Sequence, residues 1–98
     1  MSAFNEIINS DQPVLVDFFA EWCGSCKVVE PTVSEIYSEV KGKARILKVD
    51  IDKNPAVSLK YGIKAVPTFI LFKKGEIKWQ KAGVQPKDEL LQIISQYF

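Results

Sequence analysis

The chain has 98 residues and 11.1 kDa, 47% of them apolar and 26% charged, which is the size and mix of one globular domain. Thirteen basic residues against twelve acidic ones leave a net charge of +1, so the charge balance does not suggest electrostatic binding to nucleic acid or to a membrane. With no histidine and only two cysteines, Ser-His-Asp and Cys-His catalysis, imidazole zinc sites and a four-thiolate site within one chain are all excluded.

Surface scaling takes an unfolded area of roughly 16,000 Å² down to about 5,700 Å², enough burial for a core without structural staples. No apolar run approaches the ~18 residues a membrane span requires. Met1-Ser2-Ala3-Phe4-Asn5-Glu6 has neither a basic start nor an apolar h-region, so no signal peptide is expected and the predicted location is intracellular, in the cytoplasm.

In chain order, Phe4, Ile7 and Ile8 fall at i, i+3, i+4 and predict a short first helix, broken by Asn9 to Pro13. Val14 to Phe19 is a continuous apolar run with β-branched and aromatic residues, as in a strand covered on both faces. Cys26, Val29, Val33, Ile36 and Val40 then recur at helical spacing, and Gly42 is placed to end that helix. Pro31 lies inside it without an N–H for the Lys27 carbonyl, which predicts a kink. Arg45 to Asp50 reads as a second strand. Asn54 as cap and Pro55 in the first turn open a short helix that Gly62 closes. Thr68 to Phe72 is a third strand, Lys74-Gly75 a two-residue turn, and Glu76 to Ala82 the returning arm of a hairpin. Pro86 opens a final helix with stripes at Leu90, Ile94, Tyr97 and at Leu91, Phe98. The order α-β-α-β-α-β-β-α predicts an α/β fold with a mixed sheet between helices.

Two features carry chemistry. Trp22-Cys23-Gly24-Ser25-Cys26-Lys27 holds both cysteines, three apart, after the first strand. In a reducing compartment such a lone close pair is catalytic or metal-binding rather than structural, and its spacing lets it close and reopen a small disulfide. Asp17 interrupts an apolar strand. A lone buried carboxylate is costly unless it stays protonated or finds a partner, and a raised pKa suits a proton carrier; the alternative is a charge facing outward. Lys48 interrupts Ile46-Leu47-Lys48-Val49 in the same way, with an exposed edge lysine as the alternative.

Asp17-Phe18-Phe19-Ala20-Glu21-Trp22-Cys23-Gly24-Ser25-Cys26-Lys27 resembles the active-site segment of the thioredoxin family. Val49-Asp50-Ile51-Asp52-Lys53-Asn54-Pro55, Tyr61-Gly62-Ile63, Val66-Pro67-Thr68, Phe72-Lys73-Lys74-Gly75-Glu76 and Gly83 match in order and at similar spacing, so the resemblance covers essentially the whole chain. It implies one thioredoxin-like domain over residues 1–98 with a central mixed sheet of about four strands. Two positions depart from the pattern. Ser25 stands where the family usually carries proline. The usual strand before the first helix is not seen, which would put Arg45 to Asp50 at a sheet edge, where Lys43, Arg45, Lys48 and Asp50 discourage pairing with another sheet.

The resemblance implies a thiol–disulfide oxidoreductase that reduces disulfides of target proteins. Cys23, at the helix start where free N–H groups and the dipole favour a thiolate, is the expected nucleophile. Cys26, deeper on the same face, resolves the mixed disulfide. Asp17 takes the Cys26 proton and Lys48 tunes Asp17. Pro67 is expected to be cis beside the cysteines, leaving the Val66 backbone free to pair with a target peptide and keeping metal from the thiols. Trp22 covers the site and meets targets, Gly24 permits close backbone approach, and Gly83 borders the docking groove. Phe19 and Trp79 are assigned to packing. Ser25 offers an N–H and a hydroxyl to the Cys23 sulfur, which predicts a more oxidising protein than one with proline there. No bound cofactor is expected; electrons would come from a separate, NADPH-dependent thioredoxin reductase, and the protein would be a monomer. Competing readings are an oxidase or isomerase favoured by Ser25, a metal or iron–sulfur site made by the cysteine pairs of two chains, and a redox-inert docking module.

Overall fold

A computed structural model describes residues 2–98; Met1, first residue of the stretch read for a leader, lies outside the described residues. The elements are α1 (Ser2–Ile8), β1 (Val14–Phe19), α2 (Gly24–Val40), β2 (Arg45–Asp50), α3 (Pro55–Lys60), β3 (Thr68–Lys73), β4 (Glu76–Ala82) and α4 (Lys87–Ser95). They form one sheet in the order β2-β1-β3-β4. β1 runs parallel to β2 and antiparallel to β3, and β3 pairs antiparallel with β4. β2 is an edge, as expected when the family's usual first strand is not seen.

Alternation along the strands sorts the core into two layers. Leu15, Phe69 and Leu71 pack with Val29, Val33, Ile36 and Val40 of α2 and with Leu90 and Ile94 of α4. Val14, Val16, Phe18, Ile70 and Phe72 face the other way, onto Phe4 and Ile8 of α1 and Val57 of α3. Asp17 shares Leu15's parity and therefore lies under α2. On β2, Ile46 joins the α2 layer while Leu47 and Val49 join the opposite one, so Lys48 is on the α2 side too.

α2 runs unbroken across Pro31. It stops at Lys41, and Gly42 follows at φ 89, where any Cβ would be strained. The β3–β4 turn has Lys74 at φ 55 and Gly75 at φ 80, the double positive φ of a tight hairpin turn. Its tip is tied to the first helix by Gly75 N–H to the Ile8 carbonyl, 3.0 Å.

Local details refine some readings and correct others. Asn54 occupies the N-cap position of α3 without a side-chain cap bond; its amide instead donates to the Asp50 carbonyl at 3.0 Å, closing the preceding turn. Pro86 opens α4 as expected, as its N-cap. Tyr97 and Phe98 lie beyond α4, so the second half of the helical stripe packs as an irregular tail, and Phe98 is exposed. β3 runs one residue past Phe72, because Lys73 still pairs with Glu76 across the turn.

Candidate active site

The site forms where β1 ends and α2 begins. Ala20, Cys23 and Cys26 cluster there, with Phe19, Ile51 and Val66 packed against them. Cys23 is the N-cap of α2: its backbone is extended (φ -90, ψ 113) and its sulfur accepts the Cys26 N–H at 3.1 Å. Sulfur thus takes the place of the Ser or Asp oxygen usual at this position. The same N–H and the helix dipole favour negative charge on that sulfur once the bond is open. In this structure the two cysteines are joined as a disulfide, with Cα atoms 5.3 Å apart. Both are buried, at 5% and 3% exposure, so Cys26 is only marginally the deeper.

Ser25 brings its hydroxyl within 3.4 Å of the Cys23 sulfur. The backbone donor to that sulfur is Cys26, not Ser25, so the hydroxyl is what the serine adds. A Cβ at Gly24 would meet nothing within 4 Å, so the glycine is not required by crowding within this chain.

The Val66–Pro67 bond is cis, and the Val66 carbonyl oxygen lies 3.5 Å from the Cys23 sulfur. Thr68 braces the turn through a 2.6 Å bond from its hydroxyl to the Ala65 carbonyl. The Gly83 N–H donates to the Pro67 carbonyl at 2.7 Å, which puts Gly83 beside that turn. Trp22 is exposed, at 69%, yet its indole N–H donates to Asp52 Oδ2 at 2.8 Å. Asp52 is held in turn by its own N–H on the buried Asp50 carboxylate at 2.9 Å.

Asp17 is fully buried, and neither of its carboxylate oxygens has a hydrogen-bond partner. Burial pushes its pKa from 3.8 to about 6, opposed by Lys48 and assisted by Glu30. Lys48 is the register partner of Asp17 on β2. Lys48 is exposed on the edge strand, and its charge opposes the rise at Asp17. Its ammonium lies 3.5 Å from Glu30 Oε1 and 4.7 Å over the Phe19 ring.

Asp52, Thr68 and Glu30 were not singled out from the sequence. Asp52 and Thr68 lie within matched motifs, but nothing in a sequence reports the Asp52 contact with Trp22, thirty residues away. Glu30 reads as one more polar position on the exposed face of α2.

A cysteine pair closed across the first turn of a helix, on a mixed sheet between helices, defines a dithiol–disulfide redox protein. The thioredoxin family model matches residues 1–96. The chain is 52% identical to a thioredoxin of Rickettsia felis over 90 residues, covering 92% of this chain and 86% of that one. It is 44% identical to thioredoxin 1 of a Nostoc species over 92 residues, covering 94% and 86%. A solved mutant thioredoxin from Halobacterium salinarum superposes with a TM-score of 0.88 at 36% identity, over 99% of this chain and 84% of that one. The chain belongs to the thioredoxin family.

Proposed function

We propose that this protein reduces disulfides of target proteins by dithiol–disulfide exchange through Cys23 and Cys26. The observation that carries this reading is the Cys23–Cys26 pair, with Cys23 as N-cap of α2 and its sulfur on the Cys26 N–H. In the reduced protein the Cys23 thiolate attacks one sulfur of the target disulfide. A mixed disulfide forms and the target's other sulfur leaves as a thiolate. The Cys26 thiol then loses its proton to Asp17 and attacks the Cys23 sulfur, which releases the second target thiolate. Two electrons pass to the target and the chain is left with the Cys23–Cys26 disulfide.

A base should have a pKa near the working pH. Asp17, raised to about 6, is mostly ionised at pH 7 and ready to accept a proton. Lys48 tunes it. The target strand docks along the Val66 backbone beside Pro67, bordered by Gly83 and covered by Trp22, as in strand addition to an open backbone segment. A separate NADPH-dependent reductase returns the protein to its dithiol state. We place the protein in the cytoplasm as a monomer, acting on protein disulfides rather than on nucleic acid or membrane. Among the described residues no helix is long and apolar enough to cross a membrane.

The test is insulin reduction coupled to a thioredoxin reductase and NADPH. Cys23→Ser keeps a good N-cap oxygen and therefore the helix, and turnover should vanish. Retained turnover in that variant refutes the assignment. One observation favours a second reading: the Ser25 hydroxyl, 3.4 Å from the Cys23 sulfur, would stabilise the dithiol form and bias the protein toward oxidase or isomerase work. The redox potential separates the two.

A further inference from the structure

We propose that Glu30 is a positioning residue: it holds the Lys48 ammonium away from the Asp17 carboxyl, so that this carboxyl remains a proton acceptor rather than one half of an ion pair. The proposal rests on the reading of Asp17 as the proton acceptor for Cys26 and names what keeps it in that state.

One lysine is shared by two carboxylates, as strand neighbour of Asp17 and ion-pair partner of Glu30. Lys48 is paired in register with Asp17, and both lie on the α2 side of the sheet. Yet the ammonium does not bond Asp17, whose two oxygens are buried and without a partner. It lies 3.5 Å from Glu30 Oε1, one turn beyond Cys26 on α2, and 4.7 Å over the ring of Phe19. The Lys48 and Glu30 side chains are 40% and 52% exposed. The ammonium therefore keeps much of its hydration where it is, with the carboxylate and the aromatic face as partners. Following Asp17 inward would cost it that water. Without Glu30, the strongest remaining attraction on the ammonium is the buried carboxylate, where the local dielectric is low and a charge pair is strong.

Two charged groups act on Asp17, and Cys26 of α2, its proton donor in the proposed exchange, is tied in the disulfide. β2 presents Lys48, α2 presents Glu30, and β3 presents the apolar Phe69 as register partner. Lys48 draws the Asp17 proton off and Glu30 helps retain it. Glu30 acts in two ways with one sign: its own charge, and the place at which it holds Lys48. The second is the content of the proposal. Glu30 is an ordinary solvent-facing helix residue by sequence, and only the neighbouring edge strand gives it this task.

The test uses the full chain in its disulfide form, where neither cysteine titrates. The Asp17 carboxyl is followed by carbon NMR against pH in the native protein, Glu30→Gln, Lys48→Met and the double variant. Glu30→Gln should lower the midpoint by roughly 0.2–0.7 unit, the effect a partly exposed pair delivers. Lys48→Met should raise it. In the Lys48→Met background the Glu30→Gln shift should shrink to about half or less, because only the direct charge effect remains. An unchanged midpoint in Glu30→Gln overturns the proposal. A shift of equal size with and without Lys48 overturns it too, since Glu30 then acts without positioning the amine. The proton-acceptor reading fails separately, if Asp17→Asn reduces insulin at the native rate; the four midpoints still decide what Glu30 does.

Discussion

At the scale of single residues, Asp17 sets a balance between stability and chemistry. Its folded pKa of about 6 lies above the ordinary 3.8. Between those values the folded chain binds a proton that the unfolded chain has lost, so stability falls as pH rises through the window. Two units correspond to about 3 kcal/mol. Asp17→Asn should therefore gain about 3 kcal/mol at pH 7 and nothing below pH ~4, a comparison made by denaturant unfolding across that range. The same variant should slow resolution of the mixed disulfide by roughly 10–100-fold, at or below the low end of what a positioned base supplies. Ser25 bears on the redox potential. Its hydroxyl contributes about one hydrogen bond to the Cys23 sulfur, so Ser25→Ala should lower the redox potential by about 20–30 mV. Equilibration with glutathione measures it, and equal potentials would remove the hydroxyl from the account. The pair's spacing and the interruption at Asp17 were legible in the sequence. That the serine brings its hydroxyl to the Cys23 sulfur, while Cys26 supplies the backbone donor, was not.

Among the elements, α2 carries the most. Its buried stripe of Cys26, Val29, Val33, Ile36 and Val40 anchors the reactive turn to the sheet. Ile36 is fully buried there. Ile36→Ala should cost about 2–5 kcal/mol, read from chemical denaturation, with the cysteine turn left chemically intact. This helix was readable because 3.6-residue periodicity is a local property. The tail after α4 was misread for a related reason. Tyr97 and Phe98 continue the stripe in sequence, but the helix has ended by Ser95, and periodicity does not report where α-helical bonding gives way to the three-residue bonds of Tyr97 and Phe98. Asn54 stands at the cap position as read, but that its side chain makes no cap bond and donates instead to the Asp50 carbonyl is not a property sequence reports.

For the molecule as a whole, β2 is an edge with open backbone groups. Arg45 and Lys48 are exposed along it and oppose pairing with another sheet. Replacing both with valine should promote concentration-dependent association, seen by sedimentation; a strictly monomeric double variant would show that the charges do not guard this edge. Sequence alone determined the family, the helix and strand types, the cysteine pair and the suspicion attached to Asp17, because composition, periodicity and motif order are local or collinear properties. Tertiary structure alone decided what converges on that pair. It set the Val66 carbonyl against Cys23, forty-three residues away, hung Trp22 on Asp52, and brought Glu30 to the lysine that is the register partner of Asp17. Those are distances between elements, which exist only once the sheet order β2-β1-β3-β4 has brought distant segments side by side.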